Sequence, residues 1–385
     1  MKKNKILIAP SGFKESISAT AAAQAIEAGL RDVTNDITTI KAPLADGGSG
    51  TVDAILSAVG GEKLQARVLD PRGRPVIARY GLLADGTSAV IEIAASSGLA
   101  LLSKSERNPM LASSYGTGQL ILKAVQRGAK RIILGIGDSA TVDGGIGALQ
   151  ALGVRLLDVR GRCVGQGGGV LHRIQNIDLT TLHPAITKVE FIIAHDVGNS
   201  LLGQFGAAAV FGPQKGATSA MIRKLDAGLA NWAAVLKRFS GIDVAGMPGS
   251  GASGGLAIGF VALFGAKMLP GSKLIFEFGK LAEKLDECFL AFTAEGTIDQ
   301  QTLAGKSPGQ LALEAKERSI PLIAFTAKSS LDKEQAEQHG FSAIVPIIDE
   351  VTTFEKAIKA APTLLRAAAS RTFQLLLIGQ KLGRF

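Results

Sequence analysis

Short apolar runs alternate with amphipathic stretches along most of the chain. Lys5–Ala9 is rich in isoleucine and leucine and predicts a strand, and the alanine-rich stretch from about Ser18 to Val33 predicts a helix capped by Ser18. Ile37–Pro43 predicts a second strand, and a further helix is expected to end near Val59. This succession of strand, helix and strand is typical of a parallel sheet with helices on its faces.

The pattern changes between Gln65 and Ser97, where short alternating runs are separated by the turn sequences Asp70–Gly73 and Ala84–Gly86. Such spacing predicts antiparallel hairpins. The alternation of strands and helices returns near Phe289. We therefore expect an α/β protein of two domains, a discontinuous one from residues 1–66 and 288–385 with a parallel sheet, and an inserted one, residues 67–287, with a mixed sheet.

Composition agrees with globular domains and excludes several other classes of protein. The chain has 385 residues, 46% of them hydrophobic, which rules out an intrinsically disordered protein, and its 47 glycines show no Gly-X-Y period. No apolar stretch approaches the ~18 residues of a membrane span, and the run after Met1–Lys5 is too short for a signal peptide. Cys163 and Cys288 form no metal-binding or redox pair. We expect a cytoplasmic protein without a membrane partner.

The formal net charge is +9, and much of the excess lies between Glu355 and Phe385. A basic arm that binds nucleic acid is one interpretation. However, Leu365, Ala368 and Phe373 recur at helical spacing in the same stretch, so the polar face of a terminal helix is the preferred interpretation. We expect no nucleic-acid partner, and small anionic substrates suit a basic protein.

Five loops share one design, in which a strand ends, small residues follow and a helix begins, and four of the five carry an acid. These loops are residues 9–14, 45–51, 135–147, 195–206 and 293–306. Loops of this kind gather at the carboxyl ends of parallel strands, where ligands bind. Backbone N–H groups at the helix starts favour anions, and carboxylates are ligands that Mg²⁺ prefers. Together the loops predict a site that handles a magnesium nucleotide.

Two familiar nucleotide-binding motifs fit poorly. Gly305–Ser307 resembles the end of a Walker A motif, but Gln300 stands where its first glycine is required. Gly135–Ala140, with Asp158 further along, resembles a dinucleotide fingerprint. Because Asp143–Gly145 interrupts the helix that this fingerprint requires, NAD binding is the weaker interpretation.

Eight segments are similar, in order along the chain, to motifs of the bacterial glycerate kinases (type 1, ATP-dependent). They are 9–16 (APSGFKES), 45–51 (ADGGSGT), 115–118 (YGTG), 135–145 (GIGDSATVDGG), 210–217 (VFGPQKGA), 251–256 (GASGGL), 294–299 (AEGTID) and 303–308 (LAGKSP). The resemblance implies transfer of the γ-phosphate of ATP to a hydroxyl of D-glycerate, giving 2-phosphoglycerate or 3-phosphoglycerate. It also implies a Rossmann-like (flavodoxin-like) domain and a second α/β domain, with the active-site cleft between them. The oligomeric state is left open, with a homodimer as one option.

We assign roles on this resemblance. Lys14 and Lys306 are expected to stabilise the transferring phosphoryl group. Asp46 and Asp196 are expected to bind Mg²⁺ or to orient the glycerate hydroxyl, one of them as general base, with N-capping as their alternative role. The further candidates for binding substrate or phosphate are Gly47, Gly48, Arg72, Asp143, Asn199, Lys215, Glu295 and Asp299. Within this set Arg72 and Lys215 are the candidates for the substrate carboxylate.

Several loop positions depart from the family pattern. They are, with the usual residue in parentheses, Ser11 (Asp), Gly12 (Ser), Ser49 (Glu), Asp138 (Gly), Val142 (Asn), Gly198 (Thr), Ser200 (Pro), Ala294 (Gly) and Thr297 (Arg). Three outcomes are consistent with these changes: another small hydroxy-acid as substrate, weakened catalysis, or a binding protein that keeps only the fold. The acids and lysines assigned above are retained, which favours an active kinase.

Overall fold

The computed structural model describes residues 5–13, 16–45, 47–195 and 197–383. The strands are β1 (Lys5–Ile8), β2 (Thr38–Lys41), β3 (Gly61–Leu69), β4 (Pro75–Leu83), β5 (Ser88–Glu92), β6 (Arg131–Gly135), β7 (Arg155–Leu157), β8 (Asn176–Asp178), β9 (Glu190–His195), β10 (Lys267–Pro270), β11 (Cys288–Ile298), β12 (Leu322–Ser329) and β13 (Ala343–Pro346). The α-helices are α1 (Ala19–Arg31), α2 (Thr51–Val59), α3 (Ala94–Ser97), α4 (Tyr115–Gln126), α5 (Ile146–Ala151), α6 (Ala207–Phe211), α7 (Ser219–Ser240), α8 (Leu256–Phe264), α9 (Gly271–Gly279), α10 (Leu281–Asp286), α11 (Gln300–Leu303), α12 (Ser307–Glu317), α13 (Lys333–His339) and α14 (Phe354–Leu382). The strands and helices predicted above are present, with ends that differ by a few residues.

The chain divides into two compact units. Unit 1 comprises residues 1–45, 53–58 and 272–385, and unit 2 comprises residues 46–52 and 59–271. The functional domains predicted from the sequence, with boundaries near residues 66 and 288, stay a prediction. In the described part of the chain, no helix is long and apolar enough to cross a lipid bilayer.

Unit 1 contains a five-stranded sheet in the order β13-β12-β11-β1-β2, and its neighbouring strands are parallel. From β1 the chain continues to β2 on one side, whereas from β11 it continues to β12 and β13 on the other. The strand order therefore reverses between β1 and β11. In open parallel sheets, ligands bind outside the carboxyl ends of the strands at such a switch point.

The terminal helix α14 packs against α1 in the core of unit 1. Ile26 of α1 and Leu365 of α14 are both fully buried there. A Cβ at Gly29 would overlap the Arg366 carbonyl, so glycine is required where the two helices approach. The Arg366 guanidinium also donates to both carboxylate oxygens of Asp32, at 2.7 and 2.6 Å. The apolar spacing of the basic terminal segment thus correctly predicted a helix that packs on the core.

Unit 2 contains a six-stranded sheet in the order β10-β9-β6-β5-β4-β3. Strands β5, β6, β9 and β10 are parallel, while β3 and β4 form an antiparallel hairpin that extends onto β5. The predicted hairpins, the parallel and mixed sheets and the α/β fold class are therefore confirmed. Trp232 of α7 is fully buried in this unit, and its Nε1 donates to the Gly144 carbonyl at 3.0 Å. That bond fixes one of the glycine loops on the core.

Candidate active site

Three of the predicted catalytic residues, Lys14, Asp46 and Asp196, lie outside the described residues. Their roles, including the binding of Mg²⁺ by Asp46 and Asp196, therefore stay predictions. The segments that flank these three residues belong to the described part of the chain. The other candidates lie in one or the other of the two units.

In unit 1, the loops that follow β1 and β2 are held beside β11 at the switch point. The Ser11 backbone N–H donates to the Ala294 carbonyl at 2.8 Å, and the Leu44 N–H donates to the Pro10 carbonyl at 2.9 Å. These bonds continue the pairing of the sheet past the ends of β1 and β2. The loop of Ser11, predicted as part of the site, is therefore fixed at the carboxyl edge of the sheet.

Lys306 and Glu295 form an ion pair at this edge, with Lys306 Nζ 3.0 Å from Glu295 Oε1. The Thr302 hydroxyl donates to the other carboxylate oxygen of Glu295 at 2.8 Å. Lys306 directly precedes α12, and the hydroxyl of Ser307 donates to the Ala45 carbonyl at 2.6 Å. The structure therefore places a lysine ammonium at a helix start, where backbone N–H groups and the helix dipole also favour an anion.

Asp299 caps the short helix α11. Its Oδ1 accepts hydrogen bonds from the backbone N–H groups of Gln301 at 2.9 Å and Thr302 at 3.3 Å. This arrangement gives Asp299 a capping role, while substrate binding by Asp299 stays a prediction. Within the described ranges, no group of three or more His, Cys, Asp and Glu side chains is arranged to hold a metal ion.

In unit 2, two predicted glycines pack directly on the ends of β6 and β9. The Gly137 N–H donates to the Gly47 carbonyl at 3.0 Å. A Cβ on Gly137 would lie 2.6 Å from the Gly48 Cα, and a Cβ on Gly47 would lie 2.7 Å from the Ala194 carbonyl oxygen. Gly47 also has a φ of +97°, which favours glycine. The close approach of these backbones explains Gly47 and Gly48, and their contact with phosphate stays a prediction.

Sequence reasoning missed Glu92, the last residue of β5. Glu92 Oε1 accepts hydrogen bonds from the Gly50 N–H at 3.0 Å and the Val52 N–H at 2.8 Å, at the start of α2. A side-chain carboxylate therefore occupies two of the amides that the glycine loop was expected to offer to phosphate. The available signal was an acid at the end of one of the short alternating runs between Gln65 and Ser97.

Asp143 is fully buried, and its carboxylate accepts four hydrogen bonds from the protein. The donors are the Ser114 N–H and hydroxyl, both at 2.8 Å, the Gly145 N–H at 3.1 Å and the Gly147 N–H at 3.4 Å. Burial raises the pKa of Asp143, and these hydrogen bonds act in the opposite direction. The contacts support a role for Asp143 in joining the loop before α5 to the start of α4. Its direct contact with substrate stays a prediction.

Lys215 is also buried, with 2% of its surface exposed. Its Nζ donates to the Ser139 hydroxyl oxygen and to the Thr141 carbonyl, both at 2.8 Å. Burial lowers the pKa of Lys215 to about 7, and the electrostatic attraction of Asp143 opposes this shift. The structure therefore brings Lys215 to the loop that carries Asp143.

Asn199 lies in the loop that follows β9. The side-chain Nδ2 of Asn199 donates to the Phe205 carbonyl at 2.9 Å, and the backbone carbonyl of Asn199 accepts from the Gly251 N–H at 3.0 Å. The Gly249 N–H likewise donates to the Gly198 carbonyl at 3.2 Å. The glycine cluster near 250 thus supports the loop of Asn199.

Arg72 is exposed at the tip of the turn between β3 and β4. Asp70 Oδ1 accepts from the Arg72 N–H at 2.8 Å and from the Arg74 N–H at 2.9 Å, and the Arg74 Nε donates to Asp70 Oδ2 at 2.7 Å. The backbone of Arg72 therefore has a structural role in the turn, and the binding of a substrate carboxylate by its guanidinium stays a prediction.

The same turn recurs at Asp158–Arg162. Asp158 Oδ1 accepts from the N–H groups of Arg160 at 2.9 Å and Arg162 at 3.0 Å, and its Oδ2 accepts from the Arg162 Nε at 3.2 Å. Arg173 donates to the same oxygen at 3.3 Å. Asp158 is the acid that the dinucleotide interpretation assigned to a ribose. Because this carboxylate is engaged by its own turn, the structure gives no support to NAD binding.

Comparison with known proteins agrees with this arrangement. A model of the glycerate kinase family matches residues 6–377. The chain is 44% identical over 366 residues to a glycerate kinase of Halalkalibacterium halodurans, covering 95% of this chain and 96% of the relative. It is 41% identical over 377 residues to the glycerate 2-kinase of Escherichia coli K12, covering 98% and 99%. A crystal structure described as a candidate glycerate kinase 2 from Salmonella typhimurium LT2 matches with a TM-score of 0.85 and 41% identity, covering 98% of this chain and 99% of that one.

These matches define the class of protein: the chain is an enzyme, a phosphotransferase that uses an alcohol group as acceptor. It belongs to the glycerate kinase family. The resemblance found in the eight loop motifs is thereby confirmed.

Proposed function

We propose that this protein transfers the γ-phosphate of ATP to a hydroxyl of D-glycerate, with Mg²⁺ as the metal ion, giving 2-phosphoglycerate or 3-phosphoglycerate. Family membership and the named activity of the relatives support the reaction. The Escherichia coli relative is a glycerate 2-kinase, which favours the 2-hydroxyl as acceptor. The structural observation that carries the proposal is the ion pair of Lys306 and Glu295 at the switch point of a parallel sheet.

Lys306 is suited to phosphoryl transfer because its ammonium is held in place before any ligand binds. Glu295, itself held by the Thr302 hydroxyl, fixes the lysine from one side, so little reorganisation is needed when negative charge develops nearby. ATP supplies the phosphoryl group. Lys14 provides a second cation in this proposal, and Asp46 or Asp196 accepts the proton of the attacking hydroxyl.

The test is release of ADP from Mg-ATP with and without D-glycerate, for the wild type and Lys306→Met. We expect glycerate-dependent turnover in the wild type and a loss of about 100-fold or more in kcat for the variant. Lys333→Met is the matched control, because Lys333 also pairs with a glutamate, at 3.6 Å, but is exposed on α13. Phosphorus NMR of the product distinguishes the two phosphoglycerates.

Other outcomes separate the alternatives. Turnover with a different small hydroxy-acid and none with D-glycerate would replace the substrate in the proposal. Binding of Mg-ATP without turnover on any hydroxy-acid would indicate a binding protein on the same fold. The variant Asp46→Ala, chosen from the sequence, is expected to abolish turnover if that carboxylate has the proposed role.

A further inference from the structure

A cluster of polar groups surrounds the Lys215 ammonium in unit 2. A lysine ammonium has three N–H donors. Two of them bond to the Ser139 hydroxyl oxygen and the Thr141 carbonyl, both at 2.8 Å. Neither acceptor is a carboxylate, and within the described ranges no acid lies within ion-pair distance of the ammonium. One donor of a buried cation therefore remains available.

Two buried hydroxyl groups have no hydrogen-bond partner among the described residues. One belongs to Thr141, whose carbonyl accepts from Lys215, and the other to Ser253, whose neighbour Gly254 packs on that carbonyl. Thr141 is fully buried, and its Oγ1 contacts no donor or acceptor in the described part of the chain. The Oγ of Ser253 is buried and unpartnered in the same way. An unpaired buried hydroxyl is destabilising, so native proteins rarely keep one without a reason.

The backbone brings these groups together at one carbonyl. Gly254, next to Ser253, packs so closely on the Thr141 carbonyl that a Cβ there would overlap it. The same carbonyl accepts the hydrogen bond from Lys215. Ser253 itself has a φ of +55°, an unfavourable conformation for a residue with a side chain. Strain of this kind is typical of ligand-binding sites.

The charges nearby favour a small anion with a single negative charge. Arg107 lies against the turn that carries Lys215: its Nη1 donates to the Gln214 carbonyl at 3.2 Å, and its buried Nε has no partner among the described residues. Asp143 is close enough to attract Lys215 electrostatically. The buried carboxylate of Asp143 repels a doubly charged phosphate more strongly than it repels a singly charged carboxylate. The cluster therefore favours a ligand that carries a carboxylate.

We propose that Lys215, Thr141 and Ser253 bind the carboxylate group of the hydroxy-acid substrate. The proposal rests on the proposed function and specifies which end of the substrate these residues recognise. The free N–H of Lys215 and the two hydroxyls provide three donors for two carboxylate oxygens. The hydroxyl that accepts the phosphoryl group is then on the carbon bonded to this carboxylate if the product is 2-phosphoglycerate, and on the terminal carbon if it is 3-phosphoglycerate.

The test compares two fully buried threonines, one whose hydroxyl has no hydrogen-bond partner among the described residues and one whose hydroxyl has two. In Thr141→Val the lost hydroxyl had no partner, whereas in Thr117→Val the lost hydroxyl bonds to Ser96 at 3.0 Å and to Ser97 at 2.8 Å. We expect T141V to raise the KM and Kd for D-glycerate about tenfold or more, with an unchanged KM for ATP and an unchanged or higher Tm. We expect T117V to lower the Tm and leave the KM for D-glycerate unchanged. Ser253→Ala provides a second variant of the site, with the same expected rise in KM.

Each outcome decides the proposal. If the wild type turns over D-glycerate but T141V and S253A change its KM less than twofold, the carboxylate site is wrong and the proposed function stands. Weaker binding of ADP or inorganic phosphate, with unchanged binding of D-glycerate, also overturns it. If the wild type neither binds nor turns over D-glycerate, the proposed function fails. The site is then judged by binding of D-lactate and tartrate: binding weakened by T141V supports it, and no binding of any hydroxy-acid overturns it.

Discussion

The Ser49 hydroxyl donates a hydrogen bond to Asp138 Oδ2 across 2.8 Å, and the Ser49 backbone N–H donates to the same oxygen across 3.2 Å. Both residues depart from the family pattern, in which the first position is usually Glu and the second Gly. Asp138 keeps a φ of +61°, a conformation that glycine adopts more easily. The two departures are thus in direct contact. The carboxylate lies on the loop of Asp138, and not on the loop of Ser49, where the family usually has it.

We expect the effects of substitutions at positions 49 and 138 to depend on each other. Ser49→Glu alone places a second carboxylate beside Asp138 and should lower both stability and kcat/KM. Asp138→Gly alone removes the acceptor of both Ser49 donors, although it relieves about 1 kcal/mol of backbone strain. The double variant S49E/D138G restores a single carboxylate, and we expect a coupling of about 1 kcal/mol or more. The coupling is measured by urea unfolding and by kcat/KM of the wild type, the two single variants and the double variant. Additive effects of the two substitutions would show that the two positions do not act as a unit.

The two copies of the Asp-x-Arg-Gly-Arg turn provide an internal control for Arg72. Arg72 and Arg160 occupy the same position in turns with the same hydrogen bonds, and both are exposed. If Arg72 binds the substrate, Arg72→Ala raises the KM for D-glycerate about tenfold, while Arg160→Ala leaves it unchanged. Equal, small effects in steady-state kinetics would make Arg72 a turn residue only.

Lys215 should make stability depend on pH in the neutral to alkaline range. Burial lowers the pKa of Lys215 from 10.5 to about 7, against the attraction of Asp143. At a pH between these two values, the Lys215 side chain is protonated in the unfolded chain and mostly deprotonated in the folded protein. The free energy of unfolding therefore rises with pH, by at most about 1.4 kcal/mol per pH unit, and this dependence is absent below about pH 7.

Lys215→Met removes this titration and serves as the reference. Asp143 and Arg107, the other charged groups near Lys215, are present in both proteins. In urea unfolding from about pH 6 to about pH 9, the stability of the wild type relative to the variant should increase only above about pH 7. A difference that stays constant over the whole range would mean that Lys215 keeps its proton.

Asp143 should affect folding more than substrate affinity. In Asp143→Asn, the amide group turns one accepting oxygen into a donor that faces donors, in a fully buried position. We expect a loss of about 3 kcal/mol in the free energy of unfolding. The exposed Asp243→Asn, which removes a surface ion pair with Lys237, should cost less than about 1 kcal/mol. A D143N protein of normal Tm with a raised KM for D-glycerate would instead indicate direct substrate binding.

Much of the local structure and part of the site could be predicted because their causes lie within a few residues. Ser18 caps α1 through its own side chain, accepting from the Ala21 N–H at 3.2 Å, as its position before an apolar repeat indicated. The turn at Asp70 forms from hydrogen bonds two and four residues apart. Lys306 was identified from a loop motif, and the ion pair with Glu295 spans only 11 residues.

The sequence by itself determined the alternation of strands and helices, the hairpins, the family and the position of the glycine loops, since periodicity and turn chemistry act locally. Only the tertiary structure decided which loop amides are already occupied and which buried groups lack partners. Glu92 bonds to an amide 42 residues away, and Lys215 to a carbonyl 74 residues away. Such contacts depend on how loops from distant strands pack together, which local pattern does not specify.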